Sequence, residues 1–205
     1  MVFLAAQAKS ERLTEEAERA SRQALRPSEG IPRVFWDEME TFEHSKCLPL
    51  SIPLVVEPKT RRILGFRVAS MPAKGLLAEI SRKRYGLRKD ERPGMVQSLW
   101  EGLAPQLPPD VEIVSDQNPK YPGWVRAVIP QAKLRAFKGR RGCIVGQGEL
   151  KRGGFDPLFD LNHTCAMLRA NISRLVRRTW CTTKRKDRLE AHIEIYAQYH
   201  NSVLI

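Results

Sequence analysis

Residues 33–42, Arg33-Val34-Phe35-Trp36-Asp37-Glu38-Met39-Glu40-Thr41-Phe42, decide how the rest of the chain is read. The apolar residues predict an extended segment, yet Asp37 stands in its middle, where a central strand wants an apolar side chain. Taking a lone carboxylate out of water costs several kcal/mol, roughly, unless a hydrogen-bonded partner, a cation or a metal compensates. Asp37 therefore needs a partner, and the remainder of the sequence favours a metal.

Outward from this stretch, two more extended segments follow. Leu48 to Glu57 is largely apolar, with Pro49 and Pro53 arguing for irregularity or an edge position. Glu57-Pro58-Lys59-Thr60 predicts a tight turn into Arg61 to Ser70, which makes a hairpin. Residues 71–92 are polar and basic and are expected as a loop or short helix. Met95, Val96, Leu99, Trp100 and Leu103 recur at helical spacing, and Pro108-Pro109 stops that helix. Val111 to Ser115 is a short strand that delivers Asp116 at its end. A short helix over 122–129 and a strand over 132–137 come next. Gly139 to Gly154 is glycine-rich and basic, expected as a mobile loop, and lacks a phosphate-loop spacing. Leu161, Cys165, Leu168, Ile172, Leu175 and Thr179 predict a long helix over Pro157–Trp180, and a last helix runs from about Lys184 to Tyr199. On the other side, residues 5–26 read as a helix with an alanine-rich stripe, ended by Pro27. The succession predicts a mixed α/β sheet with helices packed on it.

The whole chain has 205 residues and a formal charge of +12. Most of that charge is concentrated: from Lys133 to Leu189 fifteen Lys or Arg face four Asp or Glu, a net of +11. So dense a basic region favours a polyanionic partner, nucleic acid before others, over a merely solubilising face. No apolar run reaches membrane-spanning length, so no membrane partner is expected. Cys47, Cys143, Cys165 and Cys181 form no paired spacing, which speaks against a zinc ribbon or a disulfide framework and for a reducing cytoplasm.

Asp37 and Asp116 are the leading candidates for chemistry. Adjacent parallel strands would bring them within the roughly 4 Å scale on which carboxylates share divalent ions, and hard oxygen ligands suit Mg²⁺ or Mn²⁺. Asp116 alone also fits a turn or cap residue. A third ligand is sought at the start of the long helix, where Asn162 flanks the apolar seam beside Asp160 and His163. Asn162 and Asp160 equally fit helix caps, and Asp156 fits a turn or cap.

The run from Asn162 to Lys184, with Arg174-Leu175-Val176-Arg177-Arg178-Thr179-Trp180-Cys181 inside it, resembles the C-terminal catalytic helix of bacterial insertion-sequence transposases. Asp37-Glu38-Met39-Glu40 and Ser115-Asp116 stand where that family has its first two catalytic aspartates, so the resemblance covers residues 33–202. It implies a ribonuclease H-like fold: a mixed five-stranded sheet, its first three strands antiparallel, flanked by helices. It also implies DNA strand cleavage and joining at insertion-sequence ends by two-metal phosphoryl transfer, with two Mg²⁺ or Mn²⁺ ions. The catalytic, metal-binding positions carry over to Asp37, Asp116 and Asn162, an aspartate–aspartate–asparagine set. Asn162 stands where the family commonly has a glutamate, so Glu149 and Asp156 are held as reserve carboxylates. His163 is assigned either the water or phosphate, or a structural role.

Arg169, Arg174, Arg177, Arg178, Lys184, Arg185 and Lys186 are the expected phosphate contacts to double-stranded DNA, and Trp180 either packs at the helix junction or stacks on a flipped base. Chemistry at two DNA ends implies a homo-oligomer when active, in a bacterial, nucleoid-associated setting. Residues 1–32 then form a helical extension or linker, and 33–202 a catalytic domain without the zinc-ribbon and helix-turn-helix head of full-length relatives. Two alternatives stay beside this reading: a catalytically weak DNA-binding remnant, and a metal-dependent nuclease of the same fold.

Overall fold

The computed structural model describes residues 30–138, 156–175 and 182–205. The expected helix over 5–26 and the loop over 139–154, with Glu149, lie outside them, as do Arg177, Arg178, Trp180, Cys143 and Cys181.

Alternation in the opening stretch builds the sheet. Strand β1 (Arg33–Phe42) pairs antiparallel along its length with β2 (Pro49–Val56), from Phe35 opposite Val56 to Phe42 opposite Pro49. β2 pairs in turn with β3 (Ile63–Phe66) and with the two-residue β4 (Ala69–Ser70). On its other side β1 pairs parallel with β5 (Glu112–Asp116), and β5 pairs parallel with β6 (Lys133–Phe137). The order is β3-β2-β1-β5-β6, a mixed sheet flanked by helices.

Side chains alternate across this sheet, as the two-residue period of a strand requires. Phe35, Met39, Leu50, Ile52, Leu54 and Val114 point to the face covered by α4 (Phe159–Asn171) and α5 (Lys186–Tyr199). Val34, Trp36, Val55 and Ile113 point to the face covered by α2 (Arg92–Leu103) and α3 (Tyr121–Arg126). α1 (Leu77–Tyr85) lies between β4 and α2 in the chain. Gly65 in β3 lets α2 approach closely: a Cβ there would meet Leu99 Cδ1 at 2.8 Å.

Three expectations are corrected. β2 is not an edge strand, despite Pro53, although its register against β3 does shift between Val55 and Val56, an irregularity of the kind expected. The carbonyl of Pro53 accepts from Arg67 N at 3.1 Å, so its missing N–H points at the break between β3 and β4, where no ladder bond is lost. The third strand is accordingly split into β3 and β4 instead of running from 61 to 70. The long helix over 157–180 is also interrupted. α4 ends at Asn171, Ile172 turns extended (ψ 104°), and a single 3₁₀ turn over Ser173–Leu175 follows. As far as Leu175 its apolar stripe stays buried, with Leu161, Cys165, Leu168, Ile172 and Leu175 all inside, and Thr179 lies outside the described residues. Burial of the stripe is what periodicity reports; it does not require one unbroken helix.

Candidate functional site

The parallel β1–β5 register ends with Phe35 opposite Val114. Carried two residues further it sets Asp37 opposite Asp116, both on the face of Val114, Phe35 and α4. β5 stops at Asp116 while β1 continues to Phe42, so the two aspartates lie where the inter-strand pairing ends. This is the end of the sheet at which the parallel strands finish.

Asp37 is mostly buried, and its Oδ1 accepts from its neighbour Glu38 N at 2.7 Å and from the Tyr121 hydroxyl at 2.8 Å. Burial, and then the charge of Asp116, push its pKa up from 3.8 to about 6; the two hydrogen bonds pull the other way without cancelling the rise. Two carboxylates whose charges repel across a half-dry site form a donor set that fits a divalent cation, with hard oxygens and unneutralised negative charge. Asp116 Oδ1 also accepts from Asn118 N at 3.0 Å, so this aspartate does form a turn as well as facing Asp37.

Tyr121 was not legible as a site residue. It opens α3 directly after β5, is buried, and lies against the Trp36 ring at 4.0 Å between centroids. Trp36 in turn meets Trp100 edge-on at 5.5 Å. This aromatic stack fixes the phenol, and burial with the nearby Asp37 and Glu38 charges raises its pKa, so it stays protonated and donates. The only sequence signal was its place, five residues past Asp116. Beside Asp116, a cavity of about 180 Å³ opens between α3 and β5–β6, lined by Trp36, Ile113, Ser115, Tyr121 and Leu134 among others.

Also unforeseen was a polar knot on the opposite face. Glu38 accepts from Ser51 Oγ at 2.6 Å and lies 3.9 Å from the buried guanidinium of Arg92. Arg92 grips Asp90 through two bonds, Nε to Oδ1 at 2.8 Å and Nη2 to Oδ2 at 2.7 Å. Arg92 hydrogen bonding is the main reason the Asp90 carboxyl lies below its usual range.

The start of α4 is placed differently from Asp116. Asn162 is exposed and donates from Nδ2 to Asp156 Oδ2 at 2.9 Å; no described contact joins it to Asp37 or Asp116. Neither Asn162 nor Asp160 caps the helix: Asp156 Oδ1 takes Leu158 N, and Asp160 Oδ2 takes Lys59 N from the β2–β3 turn. His163 contacts Arg61 of the same turn, at 3.1 Å from its Nδ1. Cys165 of α4 is a buried thiol that feels the Asp37 charge, its pKa raised to about 12, first by burial and in small part by Asp37. Among the described residues no group of three or more His, Cys, Asp or Glu comes together as a metal centre.

Of the expected phosphate contacts, Arg169 and Arg174 are half-buried, and Lys184 and Arg185 are exposed. Arg185 pairs with Asp187 at 2.6 Å and Lys186 with Glu91 at 2.7 Å, so two of these cations already hold carboxylates. No described helix is long and apolar enough to cross a membrane. Compared with known proteins, the chain matches no family model and no curated protein sequence.

Proposed function

We propose that the chain carries a ribonuclease H-like catalytic domain of insertion-sequence transposase type, which cleaves and joins DNA strands with divalent cations bound at Asp37 and Asp116. One observation carries the reading: the parallel β1–β5 register, carried two residues on, puts Asp37 opposite Asp116 at the strand ends, where burial and the charge of Asp116 make the ionised Asp37 costly. The strand order β3-β2-β1-β5-β6, antiparallel through β1 and parallel beyond it, supports the same fold assignment.

Bound Mg²⁺ or Mn²⁺ would supply Lewis-acid activation of water and of the scissile phosphate. The chain's own part is positional. Tyr121 and the Glu38 N–H occupy Asp37 Oδ1, which orients the carboxylate and leaves Oδ2 as the outward donor. Trp36 and Trp100 hold Tyr121, so the aromatic stack sets the carboxylate's angle. The basic residues of 169–186 would hold the DNA backbone and place the phosphate without reading sequence. For the third donor the resemblance points to Asn162; its bond to Asp156 means that recruiting it would bring a carboxylate along.

A second reading, a DNA-binding remnant that does not cut, draws on the same bond: a neutral amide occupies the third position and is already engaged. Nicking of a labelled duplex in Mg²⁺ or Mn²⁺ separates the two. Wild-type cleavage that Asp37→Asn and Asp116→Asn each reduce by at least about a hundredfold supports the active enzyme. Cleavage that survives Asp37→Asn overturns it, binding without any cleavage favours the remnant, and cutting without joining favours a nuclease of this fold.

A further inference from the structure

We infer that α1 and the turns at its two ends form a second grip on duplex DNA, alongside the acidic pair and separate from the basic run of 169–186. The inference rests on the proposed reading for the identity of the polyanion. Residues 74–89 hold six Lys or Arg against one acid. Two of these cations tie the segment to β1, Lys74 to Glu40 at 2.6 Å and Arg88 to Glu43 at 3.2 Å, while Ser81 Oγ donates to Cys47 O at 2.6 Å beneath the helix. The other four, Arg82, Lys83, Arg84 and Lys89, are exposed and make no ion pair among the described residues.

Apolar groups are interleaved with these charges. Gly75 (φ 57°) and Gly86 (φ 79°) turn the chain at either end of α1, and each is followed by a leucine in the open, Leu76 at 94% and Leu87 at 87% exposure. Ile80 and Tyr85 are exposed between them, and the Arg84 guanidinium lies 5.6 Å from the Tyr85 ring centroid. A helix that lies on a lipid surface segregates its apolar and basic residues onto two faces. Here Leu76, Ile80 and Arg84 stand four residues apart along α1, so a cation shares the apolar stripe. Basic and apolar groups mixed at this spacing suit a nucleic-acid backbone, where cations meet phosphates and apolar side chains meet sugars or base steps.

The placement agrees. Lys74 anchors the segment at Glu40, on the Glu38 face of β1, and Arg88 anchors it at Glu43, one residue past the end of that strand. Asp37 and Phe42 are five residues apart in an extended strand, about 17 Å. A duplex seated at the acidic pair and running that way would pass about ten phosphate charges before reaching α1.

The test is equilibrium binding of the full chain to a labelled 30-base-pair duplex from about 50 to 200 mM salt. The quadruple change Arg82→Ala, Lys83→Ala, Arg84→Ala, Lys89→Ala is expected to make the slope of log K against log[salt] shallower by about 3 to 4, since each phosphate contact contributes about 0.9. Leu76→Ser with Leu87→Ser should weaken binding about tenfold at every salt with the slope unchanged, because apolar contacts release no counterions. All six positions are exposed, so urea midpoints should match wild type. A quadruple variant with wild-type slope and affinity overturns the grip, as does a wild type that binds vesicles of anionic lipid but not the duplex. If cleavage is never seen while the α1 variants still lose slope, the catalytic reading falls and the grip stands.

Discussion

Asp37→Asn is expected to stabilise the metal-free fold at neutral pH. In the unfolded chain Asp37 titrates near 3.8, and in the folded protein at about 6. Between those values the folded state binds more protons than the unfolded one, so stability falls as pH rises through the window, and the penalty is complete above about pH 6. Two pKa units correspond to about 3 kcal/mol. Asparagine removes the charge and keeps an oxygen for both donors of Asp37 Oδ1, Glu38 N and the Tyr121 hydroxyl. Urea unfolding in EDTA at pH 7.5 should therefore show the variant more stable by about 3 kcal/mol, or about 6–12 °C in Tm for a domain of this size. At pH 4 the gain should shrink below about 1 kcal/mol, because wild-type Asp37 is then protonated in the folded state and half-protonated in the unfolded state. Added Mg²⁺ should stabilise the wild type and act less on the variant. A variant no more stable than wild type at pH 7.5, or one with the same advantage at pH 4, refutes the burial and repulsion assigned to this pair.

Tyr121→Phe keeps the ring on Trp36 but removes a donor that lowers the Asp37 pKa, so the carboxyl titration followed by NMR should move upward. Gly65→Ala forces a methyl against Leu99 Cδ1 at 2.8 Å and should cost about 1–3 kcal/mol, read as a lower urea midpoint at unchanged slope. Arg92→Met strips Asp90 and Glu38 of their shared guanidinium and should cost about 3 kcal/mol at pH 7. Because Asp90 is held below its usual pKa, that cost is present above about pH 4 and should decline as acid protonates Asp90, which the same melts at pH 3 and pH 7 would register.

Most of the sheet was legible because its signal is local. Alternation in 33–42 marks a half-buried strand, and in 48–57 the apolar residues are dense enough to outvote two prolines. What misled was the reading of Pro53 from β2 alone. Whether a proline is tolerated depends on which neighbour its nitrogen faces, and that neighbour, the gap between β3 and β4, is a property of another segment. The break at Ile172 failed for a related reason. The apolar stripe of α4 continues through a 3₁₀ turn, so a pattern of buried residues is preserved while the backbone that carries it changes.

Asp37 was singled out by asking where a charge is expensive, and Asp116 by its place at a strand end; the first question has a limit. It flags a carboxylate in a strand, as with Asp37, but it is silent about groups whose roles arise only from tertiary neighbours. Tyr121 is an ordinary aromatic until the Trp36 ring turns its hydroxyl onto Asp37, and Arg92 is one basic residue among many until Glu38 and Asp90 surround it. Asn162 is the opposite case: a motif position proposes it, while its one polar side-chain partner among the described residues is Asp156. The physical requirement at the site is compensation of two adjacent negative charges, and position in a motif does not guarantee that a side chain supplies it. Two negative charges in proximity are relieved either by a proton or by a cation whatever the third residue is, so loss of divalent-ion stabilisation on Asp37→Asn weighs more for the proposed chemistry than any substitution at Asn162.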